Sequence, residues 1–161
     1  YRLGQETLLE PMGLSGDQLH APSTELEEPE EAARRHEKDI RRFFGSTELL
    51  FDWVFLGLGE DGHVASLFPG HEALDADQRW ITVVRDAPKP PPVRLTMTAA
   101  LLNRSAEAHF LVTGKSKAQA LRIPLDGPRD FRRCPAQAIR PPSGSVHWWV
   151  DEEAAAELDG P

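Results

Sequence analysis

The sequence predicts an α/β domain with a mostly parallel sheet and helices on both faces, in the Rossmann-like manner. Three observations carry this. Short apolar segments bounded by glycine or proline alternate with longer segments of helical period. One of them, residues 51–56, holds Phe51, Trp53, Val54, Phe55 and Leu56 almost without interruption, as a strand buried on both faces does. It runs straight into a polar, glycine-rich turn, and open α/β sheets bind their ligands beyond the carboxyl ends of strands.

The elements follow in order. Leu3, Leu8 and Leu9 form one stripe of a first helix, which Pro11 and Gly13 end. Residues 14–28 are polar and acidic and read as a loop. A second helix opens at Pro29 with Glu30 and Glu31, because proline fits the first turn and carboxylates suit the positive helix end. Ala33, Ile40, Phe43 and Phe44 give it an apolar stripe, Arg41 and Arg42 suit its far end, and Gly45 stops it. After the strand at 51–56, residues 64–68 are expected to make one or two helical turns before Pro69 and Gly70 break them. Residues 80–84 form a second strand and 94–98 a short extended piece, with Thr98 capping a helix through Leu102. Residues 108–113 form a third strand, and Gly114 turns into a helix over 115–122. Residues 136–139 and 146–150 read as strands, and Asp151 caps a final helix over 152–158, against which Trp148 and Trp149 pack. With no internal repeat and no change in composition, residues 1–161 make one domain.

Composition excludes several classes. The net charge of −8 argues against nucleic acid, which needs a basic face to displace counterions. It does not exclude an anionic small molecule, because charges beyond about 8 Å are screened at physiological salt. No apolar run reaches the roughly 18 residues of a membrane span. Cys134 is the single cysteine and cannot close an internal disulfide, so a reducing, cytoplasmic setting is expected.

The turn Gly57-Leu58-Gly59-Glu60-Asp61-Gly62-His63 carries the chemistry. Glycines allow sharp bends and close approach, and a histidine there suits a general base. Three readings compete. Gly57-x-Gly59-x-x-Gly62 matches a dinucleotide-binding fingerprint and has Asp86 after the next strand, but such a fingerprint opens a long packed helix, and Pro69-Gly70 arrive too soon. His63 can also be a hydrogen-bonded turn residue with no further role.

The third reading rests on a longer match. The block from Asp52 through Gly57-Leu58-Gly59-Glu60-Asp61-Gly62-His63 to Pro69-Gly70 closely resembles the signature of the 6-phosphogluconolactonase family. The blocks Ala87-Pro88-Lys89-Pro90-Pro91-Pro92-Val93-Arg94-Leu95-Thr96 and Phe110-Leu111-Val112-Thr113-Gly114-Lys115-Ser116-Lys117 resemble its next two, and Tyr1 to Leu9 resembles its middle helix. The same superfamily holds glucosamine-6-phosphate isomerases and deaminases. These continue the Asp-Gly-His turn with Asn-Glu-Pro, where this chain has Leu67-Phe68-Pro69. Phenylalanine cannot transfer a proton, which favours the lactonase.

The resemblance implies hydrolysis of 6-phospho-D-glucono-1,5-lactone, a small-molecule sugar-phosphate lactone, with no cofactor and no metal. It implies His63 as general base, with Asp61 orienting it or shaping the turn. Turn N–H groups, with Gly59 and Gly62, lie against the substrate, and Lys117 binds phosphate ahead of Arg94, with Lys89 and Lys115 weaker. Cys134, Ser66 and the pair His63 and His71 lack the partners that nucleophiles or metal ligands need. The alternatives are an isomerase- or deaminase-like enzyme and a non-catalytic sugar-phosphate-binding domain. The family's N-terminal phosphate loop and Asp-Glu-Arg motif do not occur in this sequence. The chain therefore reads as the C-terminal two-thirds or so of such a domain, with the N-terminal strands and half of the phosphate grip absent.

Overall fold

A computed structural model gives the fold and describes residues 2–23 and 28–158. Among the described residues, five strands form two sheets. Strands β1 (Phe51–Gly57), β4 (Ser105–Val112) and β5 (Ser145–Val150) make a parallel sheet in the order β1-β4-β5. Strands β2 (Ile81–Val84) and β3 (Arg94–Met97) make an antiparallel pair. The helices are α1 (Arg2–Gly4), which continues as a π-helical turn over Gln5–Leu9, then α2 (Pro29–Phe44), α3 (Ala99–Leu102) and α4 (Ala118–Asp126). The expected α/β class with parallel pairing is what forms.

Strand alternation decides what each sheet face does. Val54 and Leu56 of β1, Ala108, Phe110 and Val112 of β4, and Val146 and Trp148 of β5 face the main core. The register aligns Leu56, Phe110 and Trp148, and the last two rings stack at 4.0 Å. The opposite face stays open. Trp53 and Phe55 are each 61% exposed, Trp149 58% and Leu111 52%, grouped around the imidazole of His109. The expectation of a strand buried on both faces therefore fails for β1, because no described residue covers Trp53 and Phe55. Trp148 and Trp149 likewise part company: one fills the core and the other donates its indole N–H to His109 Nδ1 at 3.0 Å. The outer edge of β1 borders a groove of about 470 Å3 that runs past Leu95, Met97 and Ser66.

Helix α2 forms for the reasons its sequence gives. Pro29 occupies the first turn with Glu30 and Glu31, and Gly45 at φ 65° ends the helix. Ala33 and Ile40 bury a stripe against Trp80, Ile81, Leu50 and Leu101. Glu37 then ties this helix to β2. It accepts the backbone N–H of Trp80 at 3.0 Å and of Ile81 at 3.2 Å, and pairs with Arg41, whose guanidinium lies 3.9 Å from the Trp80 ring.

Several expected elements change form. The first helix exists, but Leu3 is 74% exposed and the apolar stripe meets no core; Tyr1 lies outside the described residues. Residues 64–68 make a tight turn instead of helix. Leu67 N–H returns to Val64 C=O at 2.9 Å, and Ala65 holds φ 52°, a left-handed backbone that stops helix growth. Residues 136–139 are no strand, because Pro135 starts a 3-10 turn (Pro135–Ala138) and Asn103 takes up the flanking backbone through Ala138 C=O and Arg140 N–H. The helix expected over 115–122 begins as a 3-10 turn (Lys115–Lys117) and runs on through Pro124 to Asp126. Residues 152–157 form only turns. Asp151 still caps them by accepting Ala154 N–H at 2.8 Å, and Ala154 is the buried anchor. Thr98 caps α3 as expected, accepting Leu101 N–H at 3.3 Å.

Glu37 offers a direct test of this packing. Charge-assisted bonds to two half-buried backbone donors are worth about 2 kcal/mol. Glu37→Ala is expected to lower the unfolding free energy by about that amount in urea titration. An unchanged midpoint and slope contradict the role given to it.

Candidate active site

The parallel register brings three chain exits to one sheet edge. Gly57 at the end of β1 lies beside Leu111, and Val112 at the end of β4 lies beside Val150. Thus the turn ending in His63, the turn leading to Lys117 and the turn starting at Asp151 leave the same edge. Such an edge is where α/β sheets present ligand groups.

The His63 turn is closed by its own backbone. Gly59 N–H donates to His63 C=O at 2.8 Å, and Gly62 N–H donates to Gly59 C=O at 3.0 Å. Asp61 Oδ1 accepts the backbone N–H of His63 at 3.2 Å and meets the ring Nδ1 at 2.5 Å. With Nδ1 carrying the proton toward this carboxylate, Nε2 keeps its lone pair. The His63 side chain retains 16% of its exposure. Phe68 packs against its ring, centroid to centroid at 4.6 Å.

Two glycines are dictated by contact. A Cβ on Gly59 would stand 1.9 Å from His63 Nδ1 and 2.6 Å from Asp61 Oδ1, so the ring lies flat on bare backbone there. Gly62 has φ 81° and a Cβ would meet Cys134 Sγ at 3.0 Å. Cys134 itself is buried, and burial pushes its thiol above the ordinary range against the opposing pull of the nearby Gln137 and Ala136 N–H groups. It backs the turn as an apolar wedge.

The Asp61 carboxyl feels opposed effects. Burial raises its pKa, but hydrogen bonds from the His63 ring and backbone N–H, with the ring's charge, outweigh burial and hold it below its ordinary value. The pair is therefore built to keep Asp61 ionised beside the imidazole.

The remaining expected residues stand further out. Arg94 gives its Nε to Pro91 C=O at 2.9 Å and its Nη2 to Lys89 C=O at 2.6 Å and Pro90 C=O at 3.1 Å. Its guanidinium also lies 5.6 Å from the Phe68 ring, so a chain of contacts leads from Arg94 through Phe68 to His63. Lys117 is half-buried, at the last position of the turn that follows β4. Asp86, the acidic residue of the dinucleotide reading, is taken by His71 at 2.7 Å instead. Phe68 and Cys134 support the site, yet the sequence marked them only as a departure from a motif and as an inert thiol. The long contact Cys134 makes across 72 positions has no local signal.

A pH measurement tests the electrostatics. A carboxyl with a depressed folded pKa stabilises the fold at pH above its ordinary value, near 3.8, and loses that contribution as pH falls through the lower, folded value. Denaturation between pH 6 and pH 2 is expected to show wild-type stability falling in that acidic window, with a shallower fall in Asp61→Asn. Identical pH profiles contradict the pairing.

Known proteins resemble this chain in sequence and in fold. A probable 6-phosphogluconolactonase of Arabidopsis thaliana is 34% identical over 171 aligned residues, covering 99% of this chain and 63% of that protein. The human 6-phosphogluconolactonase is 36% identical over 162 residues, covering 100% of this chain and 62% of that protein. The chain thus spans less than two-thirds of these relatives' length. The solved 6-phosphogluconolactonase of Trypanosoma cruzi superposes with a TM-score of 0.81 at 26% identity, over 99% of this chain and 66% of that one. Residues 1–148 match the model of glucosamine-6-phosphate isomerases and 6-phosphogluconolactonases. The chain belongs to the glucosamine-6-phosphate isomerase/6-phosphogluconolactonase family.

Proposed function

We propose that this chain carries the hydrolytic site of a 6-phosphogluconolactonase, acting on 6-phospho-D-glucono-1,5-lactone in the pentose phosphate pathway of the cytoplasm. The observation that carries the reading is the Asp61–His63 pair: a carboxylate on Nδ1 and a free Nε2 at the carboxyl edge of a parallel sheet. The names of the similar proteins point the same way. No helix among the described residues is long and apolar enough to cross a membrane.

The chemistry is acyl transfer to water. His63 Nε2 takes a proton from water as its oxygen bonds to the lactone carbonyl carbon, a role worth about 10²–10⁴-fold. Asp61 stabilises the imidazolium that forms and holds the ring's orientation, as the carboxylate of a hydrolase triad does. The proton then passes to the ring oxygen as its bond to the carbonyl carbon breaks, releasing the open-chain acid. Gly59 and Gly62 serve by shape. Their N–H groups, and that of His63, are already bonded within the turn, which leaves the Glu60 N–H as a donor for the oxyanion. Lys117 supplies a mobile cation for the phosphate, near the start of α4. Arg94 has Nη1 left for the same anion while its other nitrogens hold the proline loop.

The isomerase or deaminase reading requires a second proton-transfer group close to His63. Phe68, buried and packed on the imidazole, occupies that surrounding, so the observation favours hydrolysis.

The test is phospholactone hydrolysis followed with purified wild type and variants. His63→Ala is expected to lower kcat by about 10²–10⁴-fold with the thermal midpoint little changed. Lys117→Ala is expected to raise KM for the phosphorylated lactone. Equal kcat for wild type and His63→Ala contradicts the mechanism. Binding of 6-phosphogluconate without turnover by wild type favours a non-catalytic sugar-phosphate domain.

A further inference from the structure

Asp151 has a role that the hydrolytic machinery above does not absorb. It is the first residue after β5, and the register of β5 on β4 sets it beside the turn that leads to Lys117. Its carboxylate reaches across that gap. Both oxygens accept the N–H of Gly114, at 3.1 and 3.0 Å, and Oδ1 also accepts Ala154 N–H at 2.8 Å. Gly114 in turn accepts Lys117 N–H on its carbonyl at 3.0 Å. One carboxylate therefore joins the buried anchor Ala154, the end of β5 and the first residue of the lysine-bearing turn.

Gly114 makes the turn depend on such a tie. It adopts φ 89° and ψ 150°, a backbone open almost solely to glycine, whose freedom is costly to restrain. The turn that follows is only three residues long before α4 begins. The Lys117 side chain has four rotatable carbons, so its reach is set by where its backbone sits. The Asp151 charge works against an anionic ligand nearby, which argues that the carboxylate is there for the backbone geometry it imposes.

We infer that Asp151 is a positioning residue for phosphate recognition: it fixes the Gly114–Lys117 turn and so aims Lys117 at the substrate's phosphate. This rests on the lactonase reading given above. The effect falls on substrate affinity more than on the chemical step, because His63 sits on a different chain exit.

The shared use of Oδ1 supplies a discriminating pair of variants. Asp151→Asn keeps an Oδ1 acceptor for both Gly114 and Ala154 while removing the charge. Asp151→Ala removes acceptor and charge together. Kinetics with 6-phosphogluconolactone are expected to show KM raised about ten-fold in Asp151→Ala, the loss of roughly one charge-assisted hydrogen bond, with a much smaller fall in kcat. Asp151→Asn is expected to return KM to within about three-fold of wild type, because the amide retains the contacts and relieves repulsion. Adding Asp151→Ala to Lys117→Ala is expected to change KM little further, since the two act through one contact. An unchanged KM in Asp151→Ala, an equal rise in the alanine and asparagine variants, or full additivity with Lys117→Ala overturns the inference. If Asp151→Ala does not fold, the comparison of Asp151→Asn with Lys117→Ala decides: a rise in KM for Asp151→Asn equal to that of Lys117→Ala overturns it. No turnover by wild type overturns the lactonase reading and this inference with it; wild-type turnover with KM unmoved in the variants overturns this inference alone.

Discussion

The hydrogen bond between Asp61 and His63 Nδ1 is the constraint on which the rest of the site depends. An imidazole in a loop has two tautomers and many orientations, and only one combination presents a lone pair outward. Here the carboxylate selects the tautomer, and the backbone enforces the orientation. Gly59 lets the ring lie on the main chain where any Cβ would collide with it. Gly62 turns left-handed against Cys134 and closes the bend, and Phe68 packs against the ring. Each of these residues is explained by holding one nitrogen lone pair still.

The sheet supplies the larger geometry. Parallel strands send consecutive exits to the same edge, so residues far apart in sequence meet there without a dedicated scaffold. His63 follows β1, Lys117 follows β4 and Asp151 follows β5. The Arg94 contacts bring the separate β2–β3 pair into the same neighbourhood through Phe68. The core needed for this lies on one side of the parallel sheet. On the other, Trp53, Phe55, Leu111 and Trp149 present a broad apolar surface around His109, well beyond what isolated surface residues require.

The sequence made some of this legible and hid the rest for definite reasons. Strands and the α2 helix announced themselves through period and through local residues such as Pro29, Gly45 and Thr98, whose effects reach only a turn away. The His63 turn was legible because its chemistry is compressed into seven consecutive residues. Residues 64–68 had helical composition, yet Ala65 turned left-handed, a tertiary outcome that propensity cannot register. Residues 136–139 looked like a strand, but Asn103, more than thirty positions away, bonds their backbone instead of a ladder. The one-sided burial of β1 was invisible because a continuous apolar run reads the same whether one face is covered or two. Cys134 behind Gly62 and the bridge from Asp151 to Gly114 are long-range contacts made by common residues, and no spacing rule points to them.

The central claim is that His63 offers an unprotonated Nε2 while Asp61 holds the proton on Nδ1. The 15N resonances of the His63 ring in labelled protein, recorded at a pH where the ring is neutral and assigned by comparison with His63→Ala, report this directly. For the neutral form of the ring, the account predicts a proton on Nδ1 and a pyridine-type Nε2, and a change in the Nδ1 signal in Asp61→Asn. A neutral ring protonated on Nε2, indifferent to Asp61, contradicts it.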